Sequence, residues 1–371
     1  MDHRLDHHPN LTPHPVGTNP MSRIATMAAI CSESRFEISS YIRLQERYDW
    51  SVDWSRTPEG RFFSNKAPGA SLLAAPLFCI VDRFYGESEP DVTLRIQKQY
   101  QARWAVTWIA SLLLQILPLA FLVFWIDGSL GVLGYSDRLR RFVQLALLFG
   151  HTGAVYMNSW WGHGLSVVLG LATFLTLQSK RWVTAGFMMG LALLNDYSMA
   201  LMIPGFLFIL WQEEETKRDL VMFMLGGVIP GFMWILYHTT SFGSPFTLPN
   251  AFQNPLFIDP QDSVGGWHGD NTVGPRYLSP ILPFFALWLV PVFDHLSERL
   301  KKLLEFGLVI SLILFITSYT ISLEPPTPPL WMGFYKASFD KDALTLWSRF
   351  LLQIMVLAVA FKLETRSRCK A

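Results

Sequence analysis

Residues 61–76 (RFFSNKAPGASLLAAP) are the first stretch whose side chains could do chemistry, and the stretch changes character at its middle. Polar and aromatic residues lead up to Lys66, Pro68 and Gly69 interrupt the chain, and a small, apolar run begins at Ala70. A lysine at the mouth of an apolar segment places an ammonium group where it attracts phosphate oxygens strongly. The stretch therefore predicts either a contact to the phosphate of a lipid-linked substrate or a lysine that only snorkels beside a hydrophobic helix.

The composition indicates a membrane protein. Of the 371 residues, 51% are hydrophobic and 16% are charged, whereas a soluble chain carries about a quarter charged residues. The formal net charge of +1 argues against a nucleic-acid partner, because binding nucleic acid requires a strongly basic surface. The three cysteines, Cys31, Cys79 and Cys369, are too few and too scattered to predict a disulfide framework or a metal cluster.

Apolar runs recur from residue 104 onward and predict an all-α, polytopic membrane bundle of about nine transmembrane helices. If the two short runs on either side of Asp196 form a hairpin, the clusters of Lys and Arg between the runs all fall on one side, which the positive-inside rule assigns to the cytoplasm. We place the helices near 104–126, 142–160, 162–179, 182–195, 197–211, 220–237, 277–293, 303–323 and 344–361.

The segment before the first span is expected on the outer side of the membrane. Residues 1–20 are polar and proline-rich, as is typical of a flexible tail, and 21–103 form an external juxtamembrane segment. Within it, 21–48 has the spacing of a short amphipathic helix lying on the membrane surface. The run 70–85 is shorter than the roughly 20 residues that crossing requires, so it predicts an interfacial or re-entrant helix. The transmembrane bundle covers 104–371 and includes two long external loops, at 238–276 and 324–343.

Ionisable and aromatic side chains from four separate segments collect at the outer face in this topology. A single charge at a span boundary is common, whereas several segments supplying both signs to one face predict a site. The residues are Arg23, Asp49, Asp53 and Lys66 from the first segment, His163 from the WWGHG turn, Asp196 and Tyr197 from the hairpin tip, and Arg276 at the end of the long loop.

These residues also have purely structural interpretations. His163 either hydrogen-bonds a neighbouring helix or acts on substrate. Asp196 either caps the second helix of the hairpin or takes part in catalysis. Asp49 and Asp53 are either solvated charges or a general base or metal ligand. Arg276 either anchors a helix end or contacts phosphate.

Six motifs resemble, in this order, a bacterial family of polytopic glycosyltransferases. They are SRIATMAAI…FEIS, DWSRTPEGRFFSNKAPGASLLAAP, WWGHGLSVVLGL, GLALLNDYSMAL, FGSPFTLPNAFQNP and GPRYLSPILPFFAL, from about Asn19 to Pro283. The family belongs to the C-type superfamily, with protein O-mannosyltransferases and the aminoarabinose transferase of lipid A as distant relatives. The resemblance implies a sugar donor on polyprenyl phosphate, an active site on the outer face and often a divalent metal such as Mg or Mn.

The resemblance also implies roles for three basic residues. Lys66 in SNKAPG and Arg276 in GPRYL stand at positions where the family meets the donor phosphate. Arg23 matches the arginine that follows the family's first span, and we group it with the phosphate-binding residues.

The chain departs from the family at three points. Relatives begin with a transmembrane helix where this sequence has a polar tail, and the loop before GPRYL is shorter than usual. The superfamily's catalytic carboxylate sits a few residues before the arginine, and the corresponding positions here are Asn19, Pro20 and Met21, none of which takes a proton. These departures are what a truncated, catalytically inactive homologue of the family would show.

The function predicted is transfer of a sugar from a polyprenyl-phosphate donor to a glycan, lipid or protein acceptor at the outer face of the bacterial inner membrane. Asp53 is the first candidate base and Asp196 the second, with His163, Tyr197 and Asp49 as substrate contacts. The competing hypotheses are a membrane transporter or lipid flippase, and the inactive homologue. The sequence shows no internal repeat, and its ionisable residues gather at one edge rather than at the midplane, which favours the enzyme.

Overall fold

The computed structural model describes residues 18–42, 50–51, 53–85, 99, 105–151, 157, 160, 162–212, 217–254 and 281–320. These residues are mostly helical with one small two-stranded sheet, which confirms the all-α class. The helices are α1 (Thr18–Glu33), α2 (Ser39–Ile42), α3 (Gly69–Tyr85), α4 (Ala105–Val132), α5 (Asp137–Phe149), α6 (His163–Gln178), α7 (Trp182–Asn195), α8 (Ile203–Gln212), α9 (Lys217–Gly226), α10 (Val228–Phe242), α11 (Leu282–Trp288), α12 (Val290–Phe293) and α13 (Glu298–Thr320). Short 3₁₀ helices cover Tyr197–Met202 and Pro249–Phe252, and the strands are β1 (Trp54–Arg56) and β2 (Phe62–Ser64).

Among the described helices, α4 has the length and apolar composition needed to cross a membrane. The pair α9 and α10 passes the same test if it is taken as one span, although the two helices meet at 44°. Helices α6 and α7 are apolar but shorter, as are the stretches Tyr197–Phe208 and Leu282–Phe293. The described part of the chain thus carries one candidate span, or two with the bent pair, and the bundle of nine stays a prediction.

Several predicted boundaries are wrong; for example, α4 continues to Val132 instead of ending at 126, and α13 begins at Glu298 instead of at 303. The run 142–160 is not one helix, because α5 begins at Asp137 behind the N-cap Ser136 and ends before Gly150. The run 220–237 is broken between α9 and α10, where Pro230 has no N–H to bond the Gly226 carbonyl in a continuous helix. The loop expected from residue 238 starts later, because α10 continues to Phe242 and ends at Gly243 in the left-handed region, with φ +79°.

Helix α1 is not the amphipathic surface helix expected within 21–48. Every residue of α1 from Asn19 to Ala29 is buried, and the helix packs against α3, whose Ala70 and Ala74 are fully buried. Its polar groups bond within the protein instead of facing water; for example, the Ser71 hydroxyl donates to the Arg23 carbonyl at 3.0 Å. Small residues on the facing surfaces allow this close packing, which is a tertiary effect that the periodicity of α1 does not report.

A disulfide bond joins α1 to α3. It links Cys31 to Cys79, 48 residues further along the chain, with the two Cα atoms 5.3 Å apart. This bond was not predicted from the three scattered cysteines, because the proximity of Cys31 and Cys79 depends on the packing of the two helices.

Glycines bring α7 into backbone contact with the bent pair α9–α10. A Cβ at Gly186 would lie 1.8 Å from the Phe223 carbonyl oxygen, and one at Gly226 would lie 2.0 Å from the Val183 carbonyl oxygen. Gly190, four residues after Gly186, packs on Pro230 in the same way. Close approach through such small-xxx-small spacing is typical of helices that pack inside membranes.

Candidate functional site

A β-hairpin positions the first part of the site. Strands β1 and β2 pair antiparallel with Trp54 opposite Ser64, so Asp53, just before β1, and Asn65, just after β2, lie at the same end of the ladder. The turn closes through Gly60, whose φ of +80° is one that glycine adopts without strain. The local sequence TPEG therefore fixes which residues meet at the open end of the hairpin.

Lys66 forms an ion pair with Asp53 at this open end. The Nζ of Lys66 lies 3.2 Å from Asp53 Oδ1, and the Asn65 side-chain amide donates to the same oxygen at 3.4 Å. The lysine side chain is 18% exposed and that of the aspartate 8%, so the pair sits at the edge of the interior. Lys66 thus has a defined carboxylate partner, and its contact with a substrate phosphate stays a prediction.

Hydrogen bonds made by Ser22 of helix α1 hold the backbone around this ion pair in place. The Ser22 hydroxyl donates to the Asp53 carbonyl at 2.5 Å and lies 2.7 Å from the Ser64 hydroxyl. The Ser64 oxygen in turn accepts from the Lys66 N–H at 3.2 Å. Ser22 therefore positions both partners of the ion pair, Asp53 directly and Lys66 through Ser64. No pattern in the sequence predicted this role of Ser22.

The turn between α7 and the following 3₁₀ helix supplies the second part of the site. Asp196 Oδ2 lies 2.8 Å from His163 Nδ1 at the start of α6, and Asp196 Oδ1 accepts from the Ser198 N–H at 3.1 Å. Asn195 strengthens the contact by donating to the Gly162 carbonyl at 2.7 Å and to the Ser166 hydroxyl at 2.6 Å. Asp196 is thus a helix cap and a histidine partner at once, and His163 makes the interhelical bond that its sequence position allowed.

Arg23 lies between the two parts. Its guanidinium donates to Asn19 Oδ1 at 3.2 Å and to the Ala67 carbonyl at 2.8 Å, and the residue is 4% exposed. It also lies within electrostatic reach of the carboxylates of Asp53 and Asp196. One buried cation therefore neutralises part of the charge on both carboxylates and holds the loop that carries Lys66.

Two glycines allow the parts of the site to meet. Gly162 has φ +89°, and a Cβ there would lie 2.7 Å from Arg23 Nη2. A Cβ at Gly69, at the start of α3, would lie 2.6 Å from the Asn195 backbone nitrogen. The loop after Lys66 consequently packs directly on the turn that holds Asp196, which only glycine permits.

An aromatic group around His238 borders the site and was missed by the sequence analysis. The Tyr197 hydroxyl lies 3.0 Å from His238 Nε2, while His238 Nδ1 lies 2.9 Å from the Trp234 carbonyl. Because a carbonyl only accepts, Nδ1 donates to it, and Nε2 of the neutral ring accepts from the tyrosine. His238 follows the apolar run 228–236 of the same helix, which is the signal that could have marked it.

Six of the eight site residues predicted from the sequence lie in the candidate site, in or next to the Lys66–Asp53 and His163–Asp196 pairs. Asp49 and Arg276 lie outside the described residues, and so does most of the loop that ends in GPRYL. The six residues are Arg23, Asp53, Lys66, His163, Asp196 and Tyr197.

The divalent metal implied by the resemblance has no ready set of ligands in the part of the chain that the structure describes. Within that part, no group of three or more His, Cys, Asp or Glu side chains is arranged to hold a metal ion.

Asp196 should make folding sensitive to acid. Burial by itself raises the pKa of Asp196, but His163 and the Ser198 hydrogen bonds outweigh burial and hold the pKa below its usual 3.8. The stability that this carboxylate contributes is then fully present above about pH 4 and is lost as the pH falls through the folded-state pKa. As the pH is lowered from 6 to 3, the melting temperature of Asp196→Asn should therefore fall less steeply than that of the wild type. Equal slopes would contradict the assignment.

Comparison with known protein families, curated proteins and solved structures finds no match to this chain.

Proposed function

We propose that this protein is an integral membrane glycosyltransferase that moves a sugar from a polyprenyl-phosphate donor to a hydroxyl group of a cell-envelope acceptor. The observation that carries the proposal is the meeting of the Lys66–Asp53 and His163–Asp196 pairs around buried Arg23. Four segments far apart in the sequence supply these residues. An apolar helical protein that gathers so many ionisable groups in one place suits a substrate with a charged head and a lipid tail.

The proposed reaction uses the Lys66–Asp53 ion pair at the open end of the hairpin. A carboxylate, with Asp53 as the first candidate and Asp196 as the second, takes the proton from the acceptor's hydroxyl group. The oxygen of that hydroxyl group bonds to the anomeric carbon of the sugar at the same time. The bond from that carbon to the phosphate oxygen breaks, and the phosphate leaves with the electron pair. Lys66 stabilises the charge that develops on this leaving group, with Arg276 as a second proposed cation. Direct displacement of this kind inverts the anomeric centre.

We place Arg23 differently from the other two cations. Two of its donors, Nε and Nη1, already bond Asn19 and the Ala67 carbonyl, and the residue is buried. These contacts favour a role in holding the Lys66 loop and balancing the carboxylates over direct contact with the donor phosphate.

The proposed setting is the bacterial inner membrane, crossed by about nine helices, with the site facing the exterior. Partners in this setting are the lipid-linked donor, a glycan, lipid or protein acceptor, and the surrounding membrane lipid. The Cys31–Cys79 bond supports an exterior position for α1 and α3, because disulfides persist in oxidising compartments and are rare in the cytosol.

Counting reactive cysteines tests this orientation. In protein trapped by acid from intact cells and then denatured, a polymer-tagged maleimide should label Cys369 alone, because the Cys31–Cys79 bond protects the other two. Prior reduction should expose all three cysteines. Cys31→Ser should give two labelled sites without reductant, since Cys79 is then free. Full labelling of the unreduced wild type would place these helices in a reducing compartment.

Purified protein in detergent or lipid provides the test of function. Incubation with sugars carried on polyprenyl phosphate should release polyprenyl phosphate, either by transfer to an added envelope acceptor or by slow hydrolysis. Repeating the assay with chelator and with added Mg²⁺ or Mn²⁺ tests the metal that the resemblance implies. Absence of release from every donor, with the protein folded and any metal supplied, would favour a non-catalytic homologue.

A further inference from the structure

We propose that the Lys66–Asp53 ion pair is a latch that an anionic phosphate opens, so that the donor itself frees the carboxylate used as base. This inference rests on the proposed function and concerns how the same site is switched on. It follows from the fact that the best-placed cation and the best-placed base are each other's partners, with Nζ and Oδ1 3.2 Å apart.

The two partners are held unequally. The Lys66 backbone N–H is bonded to Ser64, but its ammonium group lies at the end of a flexible side chain that is 18% exposed. Asp53 is held more firmly, because Ser22 binds its carbonyl and Ser51 Oγ accepts from its N–H at 3.0 Å. An entering anion therefore meets Lys66 first, and the lysine is the partner that can turn toward it.

The carboxylate keeps a neutral donor when the lysine leaves. Asn65 donates to the same Oδ1 at 3.4 Å, so a released Asp53 stays partly hydrogen-bonded. Moving the ammonium group away removes a donor that occupies Oδ1, which makes room at this oxygen for the hydroxyl group of the acceptor. Binding of phosphate and readiness of the base are thereby coupled.

The latch makes a prediction opposite to that of a simple binding residue. If Asp53 competes with phosphate for Lys66, neutralising Asp53 removes the competitor and tightens phosphate binding even as it abolishes transfer. If Asp53 merely lies nearby or helps to hold the ligand, its neutralisation leaves affinity unchanged or weakens it.

Binding of farnesyl phosphate, a short lipid phosphate, tests the proposal on the full-length protein. Asp53→Asn should bind it about tenfold more tightly than the wild type, within the range of coupling seen between linked sites. Glu59→Gln is the matched control, because Glu59 lies on the same hairpin but is 64% exposed and pairs with Arg61 instead of Lys66; its affinity should stay within about twofold of the wild type. Asp53→Ser is a second variant with the same expectation if the asparagine protein does not fold.

Two further ligands identify what opens the latch. Inorganic phosphate should show the same relative gain in Asp53→Asn at lower absolute affinity if the anion alone suffices, whereas a gain confined to farnesyl phosphate shows that the lipid tail must guide it. Neutral farnesol should show no gain, and a gain with farnesol would overturn the proposal. Wild-type binding with no gain in either Asp53 variant overturns the latch alone, while failure of every variant to bind farnesyl phosphate overturns the proposed function with it.

Discussion

Replacing Lys66 with alanine should lower sugar transfer by at least about a hundredfold, which is the scale observed when one preorganised charge-stabilising donor is removed. The physical reason is that the leaving phosphate gains negative charge as its bond to the sugar breaks, and Lys66 is the partly exposed cation at the open end of the hairpin. Release of polyprenyl phosphate from a labelled donor measures the effect.

The variant should still fold and insert. Lys66 lies in the loop between β2 and α3, and Asn65 continues to donate to Asp53 when the lysine is gone. Arg61→Ala is the matched control, since it also removes a cation from this hairpin, but one that is 45% exposed and stands over the Phe63 ring. Transfer that survives in Lys66→Ala at the level of Arg61→Ala would remove Lys66 from the mechanism.

Gly186→Ala should destabilise the protein by about 3 kcal/mol, at the upper end of the usual cost of overpacking. The added methyl would stand 1.8 Å from the Phe223 carbonyl oxygen, and backbone on both sides leaves no flexible side chain to yield. Helices α7 and α9 must therefore separate. Thermal unfolding in detergent, followed by circular dichroism, measures the loss.

Gly205→Ala supplies the comparison for this helix substitution. Gly205 is also helical, but a Cβ there meets nothing within 4 Å, so alanine should be neutral or stabilising by up to about 1 kcal/mol through helix propensity. Similar melting temperatures for Gly186→Ala and Gly205→Ala would show that the contact between α7 and α9 is not tight in the folded protein.

Local patterns determined a good part of the fold. The apolar runs predicted at 162–179 and 182–195 match α6 and α7 within a residue at each end, because their termini are marked by Gly162, by the basic pair 180–181 and by Asp196. The breaker pair Pro68–Gly69 likewise marks the start of α3. Such signals lie next to the elements that they bound, so sequence alone can report them.

Hydrophobic periodicity gave wrong predictions for segments that pack against parts of the chain distant in sequence. The spacing in α1 predicted a surface helix, yet α1 is buried, because α3 covers it and a disulfide joins the two. The predicted run 220–237 is apolar throughout, and the bend depends on how Pro230 packs against Gly190 as well as on its missing N–H. An amphipathic or apolar pattern states that a helix is covered, but does not state by what.

By itself, the sequence determined the kinds of side chain available to the site, since residue type is a local property. The hairpin that sets Asp53 beside Asn65 was not predicted from the sequence. Only the tertiary structure decided that Lys66 pairs with Asp53, that Asp196 faces His163, and that Arg23 lies between them. Each of these choices selects one partner among 29 acidic residues and many polar ones across gaps of 13 residues or more. Such a selection depends on how helices pack through glycines such as Gly69 and Gly162, and no spacing along the chain encodes that distance.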